Sequence, residues 1–421
     1  MRTRLGGDAC HARRVGDLFS PLRQREFLLL FCAQFASGFG DWAGRLALTV
    51  IVYEKSNSAL WSSLVTAVSL LPWMGPGQLL ATFADRLGRI AVMVGSDLLR
   101  AALYLMLLVT LPLPVLLLVA FVAGLLTPPF VAARSAAMVD VVEPDMYGRA
   151  LKLWGATHQF EALIGFALGG VIVATAGVSV AIVLNAATFV LSALLLLPLR
   201  KTAAAAGHDR ARVGFAGLVD GVRVWRADPY LVKSLMLFVV VGAFSVLPEA
   251  LAVPLVAESE LPEVFVGILI ASGAGLSLVV MALLPDLDDD WALIRTAGAR
   301  TARYALAASV LFAAVAFVTT STTWASFAAL PTVVAVAAYA FAGGVDAVGV
   351  PTNQVVGRRL PMEGRTGAMA IGMGAGYGAQ ALLIVVVGAL ASAFSVAVVL
   401  SGSLAIAAAM SMWIVRSDVE S

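Results

Sequence analysis

The sequence predicts an all-α polytopic membrane protein, twelve transmembrane helices arranged as two pseudo-symmetric six-helix bundles. Three observations predict it. Of 421 residues, 61% are hydrophobic and 13% charged, with a mean hydropathy of +0.94; a soluble domain carries about 45–50% apolar and about 25% charged residues. The apolar residues come in about twelve runs long enough to cross a bilayer, which takes about 20 residues for roughly 30 Å of hydrocarbon. The basic residues of the loops fall almost entirely on one side of that count. Lipid is therefore the solvent for much of the chain, which excludes a cytosolic enzyme, a nucleic-acid binder and a secreted disulfide scaffold.

The first six runs are Phe27–Tyr53, Leu60–Phe83, Ile90–Leu111, Pro114–Val139, Ala150–Ala176 and Gly177–Leu199. The second six are Leu231–Val256, Val264–Leu284, Ala302–Val318, Phe327–Val350, Thr366–Leu390 and Ala391–Val415. Only a Pro, Gly or Ser separates the third run from the fourth, the fifth from the sixth and the eleventh from the twelfth, so ten or eleven helices is the alternative count. The runs are continuous, unlike the alternating segments of about ten residues in a membrane barrel. The first run is too long for a signal-peptide core and ends in no small-residue cleavage site, so it is expected to stay attached.

Orientation follows from Lys and Arg. Arg2, Arg4, Arg13, Arg14, Arg23 and Arg25 precede the first run; Arg86 and Arg89, Arg134, Arg149 and Lys152, Arg200, Lys201, Arg210, Arg212, Arg223 and Arg226, Arg295 and Arg300, and Arg358, Arg359 and Arg365 occupy alternate connections. Arg416 follows the last run. Among the loops only Lys55 lies opposite, with Glu258, Glu260 and Glu263. The expectation is a multi-pass protein of the cell (plasma) membrane with both termini cytoplasmic. Its parts are an N-terminal tail (1–26), a first bundle (27–199), a linker (200–230), a second bundle (231–415) and a C-terminal tail (416–421).

In the linker, Phe215, Leu218, Val222 and Trp225 recur at helical spacing. They predict an amphipathic helix that either lies on the inner membrane surface or packs against the protein. Glu143-Pro144 followed by Gly148-Arg149 is echoed about 216 residues later by Leu360-Pro361 followed by Gly364-Arg365. With six runs on each side of the linker, that echo points to two repeated halves suited to rocking about a central site.

Between the second and third runs the chain reads Ala81-Thr82-Phe83-Ala84-Asp85-Arg86-Leu87-Gly88-Arg89-Ile90. This resembles the signature loop of the major facilitator superfamily, Gly-x-x-x-Asp-Arg/Lys-x-Gly-Arg-Arg/Lys. Asp85, Arg86, Gly88 and Arg89 match, whereas Ala81 and Ile90 depart from the pattern. The resemblance implies a conformational-switch loop, in which Gly88 permits a tight turn and the charged residues latch helix ends across the halves. Further segments resemble the branch that includes enterobactin exporters and macrolide-efflux-like proteins: Ser37-Gly38-Phe39-Gly40-Asp41-Trp42, Ser96-Asp97-Leu98-Leu99-Arg100-Ala101, Ala133-Arg134-Ser135-Ala136, and Gly221-Val222-Arg223 through Asp228-Pro229. The resemblance implies a major facilitator fold that exports a small molecule, commonly against protons. In the fifth run, Gly165, Gly169 and Gly170 match part of the antiporter motif Gly-x-x-x-Gly-Pro-x-x-Gly-Gly, with Glu161 and Phe166 in place of its first glycine and its proline. These glycines would allow close helix approach.

Four acids stand inside the runs: Asp41, Glu161, Glu249 and Asp346. An ionised group at the bilayer centre costs roughly 2.5–3.5 kcal/mol even on lenient scales, which makes each a functional candidate. By residue count Asp41 and Glu161 lie near the midplane. The resemblance implies that helices 1, 4, 7 and 10 line the cavity, and three of the four acids belong to them. Arg45, four residues after Asp41, and His158, three before Glu161, share a helix face with those acids; each pair is either a proton-coupling element or a structural pair. Asp97 and Arg100 are expected to pair with each other. Glu249 follows Pro248 and either lines the pathway or serves backbone groups freed at a helix break; Asp346 is equally open. Pro128-Pro129 should kink the fourth helix. Trp42, Tyr339, Phe341 and Tyr377 either line an aromatic cavity or are ordinary packing.

Cys10 and Cys32 would sit in different solvents, so no disulfide is expected, and no ligand-like spacing predicts a metal. No Gly-x-x-x-x-Gly-Lys-Ser/Thr loop occurs in the sequence, and no cofactor is expected. The leading function is secondary active export of a small organic molecule (drug-, antibiotic- or siderophore-like) by proton antiport, without enzymatic activity. The alternatives are a lipid or lysolipid flippase of the same fold and a non-transporting receptor or scaffold. The expected partners are a small-molecule substrate, protons and membrane lipid, and one twelve-helix monomer suffices for the whole pathway.

Overall fold

The computed structural model describes residues 19–77, 79–80, 87–143, 145–201, 215–283, 289–320, 329–347, 349–361 and 365–417. The chain passes back and forth twelve times. Spans 1 to 6 are Arg25–Ser56; Ala59–Leu70, continued by the 3-10 turn Leu71–Met74; Arg89–Leu105, continued by Met106–Leu108; the pair Leu113–Leu125 and Thr127–Val141; Tyr147–Ala176; and Val178–Leu196. The linker helix is Phe215–Ala227. Spans 7 to 12 are the pair Pro229–Ser245 and Leu247–Glu258; Val264–Ala282; Asp290–Thr320; the pair Ala329–Ala347 and Gly349–Arg359; Arg365–Ala391; and Val396–Arg416.

Among the described residues, ten helices are long and apolar enough to cross a membrane, and Ala59–Met74 of span 2 is a shorter apolar one. Span 1 has 32 residues, and its length suffices, but Gln34, Asp41 and Arg45 dilute its apolar run. The narrow divisions are genuine breaks. The chain is extended at Pro112 between spans 3 and 4 (ψ 153°). Gly177, between spans 5 and 6, has φ +87°, a conformation that favours glycine. Ser395, before span 12, has ψ 132°.

Proline sets two of the breaks inside spans. Span 4 is interrupted at Leu126, with Pro128 and Pro129 opening the next segment, as the proline pair predicts. Span 7 is interrupted at Val246, with Pro248 early in the next segment. The prediction for span 9 is corrected: the helix starts at Asp290, twelve residues before the apolar run, so Arg295 and Arg300 are helical instead of lying in a loop. The Asp289 carboxylate accepts from the Trp291 and Ala292 backbone N–H groups at 3.0 and 3.3 Å, a helix cap. Leu293 and Ile294 then bury against Val355.

Within the first half, span 1 packs on spans 5 and 6 and span 3 on span 6; within the second, span 9 packs on spans 10 and 12. The halves meet through two main contacts, span 5 on span 8 and span 2 on span 11. Replacing each span by the one six places away converts one contact into the other, so the pseudo-twofold relation of the halves is visible in how they touch.

The linker helix packs against the protein. Trp225 is buried with Leu231, Leu360 and Ala368, and its indole Nε1 donates to the Ala368 carbonyl at 2.7 Å. Beside it, the Asp228 carboxylate caps span 7 through the Tyr230 N–H at 2.8 Å and accepts from Arg359 at 3.0 Å. Arg359 also donates to Asp290 at 2.5 Å, tying spans 7, 9 and 10 together at the end where span 1 begins and span 12 ends. In the first half Arg89 and Asp140 join spans 3 and 4 at that same end.

Candidate functional site

Buried charge concentrates along span 1. Asp41 does not pair with Arg45, its neighbour one turn along. Its Oδ2 accepts from Arg100 of span 3 at 2.7 Å, and Arg100 also donates to Asp97 at 2.6 Å. Ser37 donates to the same Asp97 oxygen at 3.1 Å. The expected Asp97–Arg100 pair is therefore part of a three-residue cluster. Arg100 is 1% and Asp97 0% exposed, and the guanidinium sits 4.8 and 4.7 Å from the rings of Phe130 and Phe189. A planar cation held by two carboxylates and flanked by two rings suits an interior with little water.

Glu161 forms a second cluster a turn away. It is 1% exposed, and its Oε2 accepts from the Gln34 amide at 3.3 Å. The other end of Gln34 accepts from Arg134 of span 4 at 2.9 Å, so the amide stands between acid and base. Glu161 Oε1 is buried and without a hydrogen-bond partner. Gly38 makes the room: a Cβ there would lie 2.6 Å from the Glu161 carboxyl carbon. His158 packs on Trp42 at 5.6 Å between ring centroids, and among the described residues it makes no hydrogen bond to Glu161 although the two share a helix face.

Two bonds to acidic side chains cross between the halves. Arg45 of span 1 donates to Glu249 of span 7 at 3.0 Å, with side chains 26% and 18% exposed, while its guanidinium covers Trp42 at 4.5 Å. Gln159 of span 5 donates to Asp346 of span 10 at 2.7 Å. Asp346 is solvent-exposed, although it sits between spans of opposite halves. Just past the span 7 break the Tyr339 hydroxyl donates to the Pro248 carbonyl at 3.0 Å, while Glu249 takes Arg45. Tyr339 is thus packing. Tyr377 instead faces the gap between the halves, stacked on Trp73 of span 2 at 5.2 Å.

The end away from the termini is closed by close approach. Gly170 of span 5 meets Gly267 of span 8, where an added Cβ would lie 2.7 Å from the Gly267 Cα. Gly165 and Gly169 pack span 5 on span 1, against Trp42 and Ala43. Ser63 abuts Gly388, and the Leu60 N–H donates to Ser392 at 3.1 Å. Described contacts between the halves run from this seal to about mid-height, at Met74 against Gly374. In the signature loop, Asp85 and Arg86 lie outside the described residues. Gly88 has φ +81°, and Arg89 bonds Asp140 and the Ala136 carbonyl.

Twelve passes, two symmetry-related contacts between the halves and polar bonds across them match known proteins. The profile of the Major Facilitator Superfamily covers residues 30–371. The chain belongs to the major facilitator superfamily. Two relatives from Bacillus subtilis (strain 168) are the uncharacterized MFS-type transporters YkuC, 26% identical over 184 residues, and YfiS, 24% identical over 261 residues. These alignments cover 43% and 61% of this chain, and the chain spans 42% and 63% of the relatives' own length. In three dimensions the chain is similar to the POT family transporter PepTSo, with TM-score 0.70 and 12% identity over 94% of this chain and 98% of that one. It is similar to the nucleoside transporter NupG, with TM-score 0.69 and 13% identity over 93% and 100% of the two chains. A bacterial homologue of the lysosomal transporter Spinster, inward-facing and unoccupied, matches with TM-score 0.64 and 14% identity over 93% and 97%. These likenesses carry the fold; the chain is a multi-pass member of a transporter superfamily.

Proposed function

We propose that this protein is a secondary active transporter that exports a small organic molecule by proton antiport and alternating access. It would act without enzymatic chemistry, in the cell membrane with both termini cytoplasmic. The observation that carries the reading is an imbalance of charge among the mid-membrane side chains. Asp41, Asp97, Glu161, Glu249 and Asp346 share the interior of the bundle with Arg45, Arg100 and Arg134, while Arg303 of span 9 is exposed. Arg100 takes Asp41 and Asp97, and Arg45 takes Glu249. Arg134 donates to the Gln34 amide oxygen and covers the Trp154 ring at 4.6 Å. Glu161 and Asp346 are left with no cation within salt-bridge distance among the described residues. A bare carboxylate in this setting is expensive, so it is neutralised by a proton or by a substrate cation. Charge that arrives and leaves with the cycle is what antiport requires.

Within that reading Glu161 is the better proton site, since Asp41 is held by Arg100 and Glu161 keeps an unpartnered oxygen. Asp85, Arg86, Gly88 and Arg89 form the switching loop, and Gly165, Gly169 and Gly170 bring span 5 onto its neighbours at the seal. The resemblance of Ser37–Trp42 to exporters of the enterobactin and macrolide branch supports the outward direction. The test uses purified protein in vesicles with an imposed pH gradient, offered a fluorescent cation, anion and neutral solute in turn. The wild type should accumulate at least one of them, and Glu161→Gln should let that solute equilibrate downhill without accumulation. If the folded wild type accumulates none, proton antiport is refuted. Full accumulation by Glu161→Gln with loss in Asp41→Asn would return the coupling role to Asp41.

A further inference from the structure

We propose that Asp346 anchors the positive charge of the substrate, and that the gap between the halves takes a monovalent organic cation with an aromatic or apolar body. Asp346 is the mid-membrane acid that is both solvent-exposed and without a basic partner among the described residues. Its carboxylate accepts from the neutral Gln159 amide of the opposite half at 2.7 Å. The remaining cation at the gap, Arg45, is occupied by Glu249 at 3.0 Å. The negative charge of Asp346 therefore stays unanswered among the described residues, and a guest that enters from water can answer it.

The walls select the kind of cation. Tyr377 of span 11 stacks on Trp73 of span 2 at 5.2 Å with an interplanar angle of 28°, so a flat aromatic pair joins the same two halves that Gln159 and Asp346 bridge. Aromatic faces attract organic cations and accept apolar substituents. A metal ion is disfavoured by the ligand set: no group of three His, Cys, Asp or Glu able to hold one occurs among the described residues, and hard cations need six or more oxygen ligands. One carboxylate, one amide and an aromatic pair recognise a single diffuse positive charge better than a compact, strongly hydrated one.

Span 10 is built to place this acid firmly. Gly343 packs against the Gly273 backbone of span 8, and Gly344 lies under the Tyr304 ring, 2.8 Å from its nearest carbon by an added Cβ. Asp346 follows these two glycines, so its backbone is fixed by span 8 and span 9 while its side chain reaches towards the other half.

The inference gives a substrate class to the transport reading above, and its test is an equilibrium one that needs no transport. Purified full-length protein in detergent is titrated with radiolabelled tetraphenylphosphonium, and separately with tetraphenylborate, an anion of nearly the same size and shape. Saturable binding of the phosphonium should be at least about tenfold tighter than that of the borate. Asp346→Asn should weaken phosphonium binding by about tenfold or more, while Asp346→Glu retains it to within about threefold. Equal binding of the two ions, no saturable binding of the phosphonium, or unchanged binding in a folded Asp346→Asn would each overturn the proposal. If Asp346→Asn does not fold, the comparison of the two ions on the wild type decides alone. Intact cation binding without gradient-driven movement of any solute would refute transport and leave the cation site standing.

Discussion

Adding one methyl group at Gly170 should open the sealed end of the molecule. An added Cβ would lie 2.7 Å from the Gly267 Cα and 2.9 Å from its nitrogen. An ordinary carbon–carbon contact needs roughly 3.5 Å, so the two helices must separate by about 0.8 Å. The obstruction is backbone, which has no rotamer to yield. Overpacking of this kind costs about 1–3 kcal/mol, and the cost falls on the conformation in which spans 5 and 8 touch. The gain in helix propensity from Gly to Ala, about 1 kcal/mol, is shared by every conformation in which span 5 is helical and cancels between them. The balance between closed and open should therefore shift about 5- to 150-fold towards open. Spin labels at Asn57 and Ala393, both exposed at the sealed end on opposite halves, in a background with Cys10 and Cys32 replaced by Ser, would report it by electron–electron distance measurement. Gly170→Ala should enrich the longer distances, whereas Gly95→Ala, where an added Cβ meets nothing within 4 Å, should leave them unchanged. An unaltered distribution in a folded Gly170→Ala, or an equal shift in the control, refutes the argument.

Other changes test the charge clusters and the linker. Arg100→Met strands Asp97, which is 0% exposed, and should destabilise the protein by about 3–5 kcal/mol; Asp41→Asn leaves the Arg100–Asp97 pair and should cost less, and equal melting temperatures in detergent for the two variants would contradict this. Glu249→Gln should raise the open population measured with the same spin labels, and the exchange Arg45→Glu with Glu249→Arg should recover part of the closure; no recovery would mean that Arg45 acts through Trp42 instead. Trp225→Ala removes a buried ring and its 2.7 Å bond to the Ala368 carbonyl, a loss of about 3–5 kcal/mol, seen as faster amide exchange in the first turns of span 11; unchanged exchange would detach the linker helix from that role.

Topology was legible in the sequence because lipid imposes it. A span needs a minimum apolar length, and loop arginines stay on one side, so composition and charge placement fix twelve passes even where a single Gly177 or Pro112 divides two of them. The proline pair of span 4 announced its break by the same local chemistry. Partner choice was not legible. Sequence spacing puts Arg45 on the same face as Asp41, yet Arg100, fifty-nine positions away, takes that acid. Which base arrives depends on how spans 1, 3 and 7 are rotated against one another, and hydropathy does not encode rotation. The amides Gln34 and Gln159 were overlooked for a related reason: they carry no charge to flag them, although a glutamine inside an apolar run is itself a polar group seeking a partner. The early start of span 9 was hidden because Asp289 and Asp290 lower the hydropathy of the very turn they cap.

The two bonds across the gap differ in a way that bears on how the halves can move. Arg45–Glu249 joins full charges on the sealed side, and Gln159–Asp346 joins a neutral donor to an acid nearer the middle. Opening the seal would let water reach Arg45 and Glu249 together. Hydrated, such a pair contributes only about 0–1 kcal/mol, so neither charge is stranded and the closure can be both specific and reversible. Asp346 has no such release, because separating the halves removes Gln159 and supplies no base in its place. No base among the described residues is within salt-bridge distance of Asp346, so on the proposed cycle a cation from outside would have to be bound before the gap around that acid closes. On the proposed cycle the arginine bridge would set which end is shut, and the occupancy of Asp346 would set when that end can form.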